Sequence, residues 1–282
     1  MTKQLLSKIE GCYSSMSKGH KRITDYITEN YDKAAFMTAA KLGDAVGVSE
    51  STVVRFASEL GFSGYPQLQK TLQEVVKSRL TSVQRMEAAG GEDMLEHAFS
   101  SDTIKATRES ISREAFNASV EAINRAKHIY VLGVRSAASL ASFAAFYLNF
   151  VYDSVTLIEP AGTGEAFDQA FRINKDDVCI AISFPRYSKQ TINMLRFISD
   201  RGATVISVTD SENSPIAQFA THLLLARSSM VSFVDSLVAP LSLINALIAA
   251  AASEKSGEVY SNLSSLENIW DEYQIYQTHE DE

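Results

Sequence analysis

The sequence predicts a helical N-terminal domain followed by an α/β domain with a doubly wound, five-stranded parallel sheet. Apolar residues recur every three or four positions through the first 80 residues, which is the period of an α-helix. From residue 128 onward, short runs rich in valine and isoleucine alternate with helical patterns. Such alternation is typical of a parallel sheet with helices on both faces.

The chain has 282 residues, which is long enough for two hydrophobic cores. We predict a helical domain over 1–80, a helical linker over 81–127, an α/β domain over 128–255, and a C-terminal helix and tail over 256–282. Cys12 and Cys179 lie far apart in apolar runs, which suits neither a disulfide framework nor a metal cluster. With no signal-peptide pattern at the start, this cysteine usage predicts a cytoplasmic protein.

The charge is unevenly distributed along the chain. Residues 1–80 hold 11 Lys/Arg against 8 Asp/Glu, a net charge of +3, whereas the remainder holds 15 against 26, a net of −11, so the total is −8. A mildly basic N-terminal domain on an acidic body is compatible with nucleic-acid binding through that domain alone.

Five helices are predicted in the N-terminal domain. The first carries Leu5, Ile9, Cys12 and Met16 at helical spacing, the second carries Ile23, Tyr26 and Ile27, the third opens at Thr38, the fourth opens at Ser49, and the fifth begins near Pro66.

The segment from Thr38 to Gly61 has the spacing of a helix-turn-helix. Gly43 is small where the two helices would cross, Gly47 suits a turn with positive φ, and Val53 would bury the second helix against the first.

A helix-turn-helix presents the N-terminal turn of its second helix to the DNA major groove. The candidate DNA-binding residues are therefore Ser49, Ser51, Thr52 and Arg55, with Lys41 on the preceding helix as a candidate phosphate contact. Two alternatives remain at this point. Units of three helices also mediate protein contacts, and Arg55 is equally compatible with a solvated or structural role.

The run VSESTVVRFASELGFSGYPQLQ resembles the N-terminal domain of the RpiR-type transcriptional regulators. The resemblance implies a DNA-binding domain. In this chain Ser58 and Glu59 stand before Leu60-Gly61 at positions that are often basic in that family, which lowers the charge expected at the DNA backbone.

Residues 81–127 contain no proline, and Gly90-Gly91 is their strongest helix breaker. Apolar positions mark amphipathic stretches that would pack on the second domain or on a partner chain; they are Met94, Leu95, Ala98, Phe116, Val120 and Ile123. We expect helices throughout this linker.

Five strands are predicted in the α/β domain, at His128–Leu132, Val155–Ile158, Val178–Ser183, Thr204–Val208 and Leu223–Ala226. In a doubly wound sheet of order 2-1-3-4-5, ligands bind beyond the carboxyl ends of the first and third strands. Candidate ligand-binding residues follow those two strands, namely Gly133, Arg135, Ser136, Ser183, Arg186, Tyr187 and Ser188. Arginines and hydroxyls beside helix N-termini are suited to binding an anion.

Three of these residues have alternative interpretations. Arg135 and Arg186 are also compatible with surface arginines paired with carboxylates, and Tyr187 would either stack on a ligand or cover the loop. Glu165, after the second strand, is a candidate acceptor for a ligand hydroxyl, or else a solvated or helix-capping carboxylate.

The C-terminal half resembles the sugar isomerase (SIS) domain, through the segments VLGVRSAASLA and CIAISFPRYSKQTINML among others, so resemblance to the RpiR-type regulators spans about residues 3–255. Typical SIS domains hold a sugar phosphate with glycine- and serine-rich loops. Here Arg135 stands where the second glycine of the first loop would be, and Pro185-Arg186 replaces a Ser-Gly pair, although Ser183 and Ser188 remain. The resemblance therefore implies an anionic effector, either a sugar phosphate or a sugar acid.

These features predict a DNA-binding transcriptional regulator whose affinity for a double-stranded operator is controlled by a small anionic, sugar-like effector. We expect a homodimer or homotetramer; candidate interfaces are the apolar helix Leu237–Ala252, which is too short for a membrane span, and a stretch carrying Leu263, Leu266, Trp270 and Tyr273. No metal or cofactor is predicted, because the histidines are scattered and no phosphate-binding P-loop is present. The alternative is a sugar-phosphate isomerase, for which only Glu165 offers a plausible base.

Overall fold

The computed structural model describes residues 12–77, 81–88, 102–159, 163–230 and 233–276. Several positions used in the sequence analysis lie outside the described residues: Leu5, Ile9, Gly90, Gly91, Met94, Leu95 and Ala98. The chain forms two compact units. The first contains the described residues up to 88 together with Met230–Asp235, and the second contains the rest.

The first unit is helical. Over the residues described in this unit, a 3₁₀ turn at Tyr13–Ser15 is followed by the helices α1 Lys18–Glu29, α2 Tyr31–Ala34, α3 Ala39–Val46, α4 Glu50–Glu59, α5 Tyr65–Lys77 and α6 Ser82–Ala88. The predicted helix starts at Thr38 and Ser49 are confirmed, since each side chain accepts a hydrogen bond from a backbone amide of the helix that follows. The four-residue helix α2 was not predicted, because it is too short to show a period.

One core holds α1 to α5 together. Its fully or almost fully buried side chains include Ile23, Ile27, Leu42, Val53, Phe56, Leu60, Leu68, Leu72 and Val76. These residues recur at three- and four-residue intervals along each helix, so one face of every helix points inward. Three of these core residues, Ile23, Ile27 and Val53, were predicted from the sequence.

The second unit is the α/β body. Its elements are α7 Asp102–Ser110, α8 Arg113–Arg125, β1 Ile129–Gly133, α9 Ser136–Leu148, β2 Val155–Ile158, α10 Thr163–Ala170, β3 Val178–Ile182, α11 Lys189–Asp200, β4 Thr204–Thr209, β5 His222–Leu225, α12 Val238–Glu254 and α13 Ser256–Glu272. A short pair, β6 Ser229–Met230 and β7 Asp235–Ser236, lies between β5 and α12 in the sequence. Strands of two residues carry no sequence pattern, and this pair was not predicted.

The five long strands form one parallel sheet in the order β2-β1-β3-β4-β5, which confirms the predicted topology. Each strand lies within one residue of its predicted bounds. Every residue of β1 and β3, at the centre of the sheet, is buried, as expected of strands covered on both faces.

Alternate side chains of the strands enter two separate cores. On one face Val131 and Ile180 pack with helices α8, α9 and α12, and on the other Leu132 and Ala181 pack with α10 and α11. The predicted linker residues Phe116, Val120 and Ile123 lie on α8 and pack into the first of these cores.

Helices α12 and α13 differ in burial. Helix α12 buries Leu243, Leu247 and Ala251 in the core, whereas α13 has no buried residue. Leu263 on α13 and Tyr273 directly after it are exposed. The first candidate interface, the apolar helix Leu237–Ala252, thus packs into the core of this unit. The second, the stretch from Leu263 to Tyr273, stays a prediction. Among the described residues, no helix is both long enough and apolar enough to cross a membrane.

Candidate anion site and nucleic-acid interface

The loops after β1 and β3 start side by side. Gly133, the last residue of β1, is paired in register with Ile182, the last residue of β3. The first loop leads through Arg135 into α9 at Ser136, and the second leads through Arg186 into α11 at Lys189. Since the order of the sheet reverses between these two strands, the loops lie where open α/β sheets bind their ligands.

Gly133 is needed for close packing of β1 against α9. A Cβ built on this residue would lie 2.5 Å from the carbonyl oxygen of Ala137 and 2.7 Å from the Cβ of Ala141. Real Cβ atoms do not approach other atoms so closely, so no larger residue fits without a shift of the helix. Gly133 is buried and brings only backbone atoms to the candidate site.

Arg135 and Arg186 both have left-handed backbones, with φ of 59° and 64°. Both residues are exposed, and Arg135 directly precedes the first turn of α9, with ψ of −124°. They occupy the two positions at which the resemblance to SIS domains leads one to expect glycine. The backbone at both positions thus keeps a conformation that glycine adopts readily and other residues disfavour.

Tyr187 is held by the adjacent loop. Its hydroxyl donates a hydrogen bond of 2.6 Å to Oδ1 of Asp210, which follows β4, and the hydroxyl of Thr209 lies 3.3 Å from the same oxygen. This carboxylate fixes the phenol ring beside Arg186. Sequence analysis missed Asp210, although its position directly after a strand at the same sheet edge was a usable signal.

The remaining predicted ligand residues lie in different settings. Ser183 is buried, and its amide donates to the carbonyl of Val208 at 3.1 Å. Ser188 caps α11, where its Oγ accepts a hydrogen bond of 3.2 Å from the amide of Gln190. Ser136 is exposed at the start of α9, and Glu165 is exposed in the first turn of α10.

Two buried hydroxyls near this edge of the sheet lack a hydrogen-bond partner among the described residues. They are Thr191 Oγ1, in the first turn of α11, and Ser214 Oγ, in the segment after β4. Residue exposure is 1% at Thr191 and 5% at Ser214. Buried polar groups are normally paired, so these two hydroxyls mark unused hydrogen-bonding capacity on the segments that follow β3 and β4.

The first unit contains the predicted helix-turn-helix geometry. A Cβ on Gly43 would lie 2.7 Å from the carbonyl oxygen of Val48, Gly47 has a φ of 69°, and Val53 is completely buried. These findings confirm the roles predicted for the three residues. The turn is further held by Arg22, which donates a hydrogen bond of 3.0 Å to the carbonyl of Gly47.

Four of the candidate DNA-binding residues lie together at the start of α4. Ser49 Oγ lies 2.9 Å from both Ser51 Oγ and Thr52 Oγ1 at the start of α4. Arg55 follows one turn later, where its Nε donates to the carbonyl of Ser51 at 3.3 Å. All but Thr52, which is half-buried, are exposed, as is Lys41 on α3.

Comparison with known proteins assigns both halves of the chain. Residues 3–79 match the model of the helix-turn-helix domain of the rpiR family, and residues 122–250 match the SIS domain. The chain belongs to the RpiR-type transcriptional regulators. The resemblance identified in the sequence is therefore confirmed.

Curated relatives of this RpiR-family regulator bear the names of transcription factors. An HTH-type transcriptional regulator of Haemophilus influenzae is 26% identical over 78% of this chain and 79% of its own length. HexR of Pseudomonas aeruginosa, also named an HTH-type transcriptional regulator, is 24% identical over 78% of this chain and 77% of its own. These names support a regulator and not an isomerase.

Solved structures share the fold of this RpiR-family regulator. The sugar isomerase domain of an RpiR transcription factor from Sphaerobacter thermophilus superposes with a TM-score of 0.58 at 27% identity, over 62% of this chain and 96% of that one. NanR of Vibrio vulnificus, solved in complex with ManNAc-6P, superposes with a TM-score of 0.60 at 22% identity, over 95% of this chain and 98% of that one.

No group of three or more histidine, cysteine, aspartate or glutamate side chains suited to a metal ion occurs in the described part of this RpiR-family regulator. The loops after β1 and β3 carry two arginines and several hydroxyls, and each leads into the N-terminus of a helix. Groups of this kind bind and orient an anion.

Proposed function

We propose that this regulator binds operator DNA through α4 and that a small anionic, sugar-like effector, bound at the loops after β1 and β3, controls its affinity for the operator. The pairing of Gly133 with Ile182 is the observation that carries the proposal. Because the two strands are neighbours, two loops that each bear an arginine and open a helix begin at one point of the sheet edge.

Charge and hydrogen-bonding capacity support an anion at this point. The proposed ligand-binding residues are Gly133, Arg135, Ser136, Glu165, Ser183, Arg186, Tyr187 and Ser188, and Asp210 would hold the hydroxyl of Tyr187 in place. Guanidinium groups form paired hydrogen bonds with carboxylates and phosphates, and the first amides of α9 and α11 favour negative charge. The complex of Vibrio vulnificus NanR with ManNAc-6P is consistent with a phosphosugar, and a sugar acid has the same requirement for cations.

The DNA half of the proposal rests on α4. Ser49, Ser51, Thr52 and Arg55 would face the major groove, and Lys41 would contact a phosphate. A single recognition helix reads too few base pairs for specificity. We therefore propose that two or four copies bind a pseudo-palindromic operator, with half-sites about one helical turn or a multiple of it apart.

In the proposed mechanism, the effector binds one state of the α/β domain more tightly than the other. The linker predicted over residues 81–127 would transmit the change to the DNA-binding domain predicted over residues 1–80. A coupling free energy of about 1–3 kcal/mol would change operator affinity roughly 5- to 150-fold.

Gel-shift titration tests the effector site. Thermal-shift screening of sugar phosphates and sugar acids first selects a compound that raises the melting temperature of the wild-type protein. Arg135→Ala and Arg186→Ala are then expected to abolish the response of operator binding to that compound while DNA binding itself persists. The matched control is Arg125→Ala, which removes an exposed arginine from the end of α8. Unchanged effector sensitivity in both loop variants would reject the site.

The same assay tests the recognition helix. If Arg55 reads a base, Arg55→Ala should weaken operator binding by about 1–3 kcal/mol. Lys70→Ala removes one exposed charge from α5 of the same unit and serves as the control for a general loss of charge. Operator affinity equal to that of the wild type would remove Arg55 from the interface.

A further inference from the structure

The start of α1 packs against the helix-turn-helix. A Cβ built on Gly19, the second residue of α1, would lie 3.4 Å from Cγ2 of Thr52 and 3.6 Å from Cγ1 of Val48, which are ordinary van der Waals contacts. Val48 lies in the turn between α3 and α4, and Thr52 lies in the first turn of α4. The beginning of α1 is therefore directly beside the beginning of the proposed recognition helix.

Two cations lie on the side of α1 that meets the turn. Each residue of an α-helix is rotated by about 100° from the previous one, so Lys18, Gly19 and Arg22 lie within about 100° of one another around the axis. Arg22 reaches the turn itself, since its Nη2 donates a hydrogen bond of 3.0 Å to the carbonyl of Gly47. One turn of helix before it, Lys18 brings an ammonium group to the same side.

The charge of these two residues is exposed and has no counter-charge in the described part of the chain. Both side chains belong to exposed residues. Among the described residues, no carboxylate forms an ion pair with Lys18 or Arg22. The sequence from residue 12 to residue 24 contains three Lys or Arg and no Asp or Glu. This side of α1 therefore carries positive charge that is available to an anionic partner.

We infer that Lys18 and Arg22 bind phosphates of the DNA strand that borders the groove occupied by α4, so that α1 forms a second part of the DNA interface. The inference rests on the proposed function and adds residues to its DNA-binding surface. Contacts with phosphates fix the position and orientation of a protein on the duplex, and they carry no sequence information. Helix α1 thus contributes affinity and register, whereas α4 contributes sequence specificity.

The two residues have different roles in this interface. Lys18 contributes a single charge. The guanidinium of Arg22 carries five N–H donors in a planar fork, and its bond to the carbonyl of Gly47 uses one of them. Arg22 therefore joins the turn of the helix-turn-helix to a phosphate, which makes it a positioning residue for α4 as well as a DNA contact.

The salt dependence of DNA binding tests the inference on the full chain. Two duplexes serve as probes: one selected by the wild-type protein from a random pool, and one unselected duplex of random sequence. Lys18→Ala should reduce the slope of log K against log [salt] by about 0.9 for each DNA-binding domain on the duplex, or about 3.5-fold in affinity between about 50 and 200 mM salt. The reduction should be equal for the two duplexes.

The control variants separate a phosphate contact from other effects. Lys70→Ala removes an exposed charge from α5 and should leave the slope unchanged. Arg22→Ala should lower both the slope and the melting temperature, because it also breaks the bond to Gly47. Arg22→Lys keeps the charge and should show the slope of the wild type, since a phosphate accepts either cation.

The outcomes distinguish the inference from the proposed function. A wild-type slope in Lys18→Ala or in Arg22→Ala removes that residue from the interface, and a wild-type slope in both overturns the inference. An equal reduction in Lys70→Ala overturns it as well. The proposed function still stands in these cases if Arg55→Ala weakens binding to the selected duplex more than to the unselected one. A wild-type protein that binds neither duplex would overturn both.

Discussion

Gly43 and Gly133 allow two pairs of elements to approach at distances that a side chain would prevent. In the first unit Gly43 faces the backbone of Val48 across the helix-turn-helix, and in the second unit Gly133 faces the backbone of Ala137. In both cases the obstacle to a Cβ is main chain, which cannot rotate away. Close approach of two backbones thus depends on a single residue in each unit.

Gly43→Ala is expected to destabilise the first unit by about 1–3 kcal/mol, because the new Cβ would lie 2.7 Å from the carbonyl oxygen of Val48. Urea denaturation followed by circular dichroism measures the effect. Gly64→Ala is the matched control, since the nearest atom to its Cβ would be 3.7 Å away, and it should change stability by less than about 0.5 kcal/mol. Equal effects of the two substitutions would contradict the packing assigned to Gly43.

Burial in the sheet protects the thiol of Cys179 from reagents. It is completely buried in the sheet, and burial raises the pKa of its thiol to about 12. Because the thiolate is the reactive form, iodoacetamide at about pH 8 should leave Cys179 unmodified in the folded protein. Cys12 is only half-buried and is expected to react.

Intact-mass spectrometry distinguishes these adducts. One adduct is expected under native conditions and two in urea, where Cys179 becomes accessible. A second adduct that forms as fast in the folded protein as in urea would show that the strand does not protect the thiol.

At the scale of the elements, hydroxyl side chains set where helices begin. Thr38 Oγ1 accepts a hydrogen bond from the amide of Lys41, and Ser49 Oγ accepts one from the amide of Thr52. Each bond gives a hydroxyl acceptor to a first-turn amide that has no carbonyl four residues earlier within the helix; the amide of Thr52 also donates to the carbonyl of Ser49 at 2.9 Å. The side chain of Ser49 therefore contributes to fixing the start of α4, the helix that carries Arg55.

Ser49→Ala should lower the free energy of unfolding of the first unit by about 1 kcal/mol through the loss of this cap. The control is Ser58→Ala on the same helix, where the hydroxyl donates only to the carbonyl of Val54 in the preceding turn. Alanine favours the helix there, so the control should be neutral or slightly stabilising. Thermal denaturation of both variants measures the effect. If Ser58→Ala lowers the melting temperature as much as Ser49→Ala does, the stabilisation assigned to the Ser49 cap is wrong.

At the scale of the whole molecule, the first unit is built from two separate segments of the chain. Residues up to 88 form most of it, and Met230–Asp235, which follow β5 in the sequence, also belong to it. Within this unit the guanidinium of Arg85, on α6, donates a hydrogen bond of 2.9 Å to Oδ1 of Asp235. The Arg85 side chain has no exposed surface, and that of Asp235 is 13% exposed. A buried ion pair thus joins two segments that are far apart in the sequence.

Arg85→Ala is expected to destabilise the first unit by about 3–5 kcal/mol, because it leaves the carboxylate of Asp235 without this partner in a largely buried site. The control, Arg125→Ala, breaks the ion pair of Arg125 with Glu121, in which the two side chains are 77% and 56% exposed. It should lower the free energy of unfolding by no more than about 0.5 kcal/mol. Differential scanning calorimetry of both variants measures the contrast. Similar melting of the two would mean that the buried pair contributes little.

The sequence by itself determined the features that depend on neighbouring residues. Hydrophobic periodicity identified the longer helices of the first unit and the five strands. The alternation of strand and helix predicted a doubly wound parallel sheet, and the structure has the 2-1-3-4-5 order that was expected for it. The glycines of the helix-turn-helix were also predictable, since local spacing defines their roles. Elements of two to four residues, such as α2, β6 and β7, were missed because they are shorter than the period that would reveal them.

Only the tertiary structure decided the features that depend on residues far apart in the chain. The bond from Tyr187 to Asp210 spans 23 positions, and the pair of Arg85 with Asp235 spans 150. The positive φ of Arg135 and of Arg186 likewise opposes the intrinsic preference of an arginine and belongs to the folded chain. Periodicity and composition describe local preferences, whereas these contacts and strains arise when separate segments compete for the same space in the folded chain.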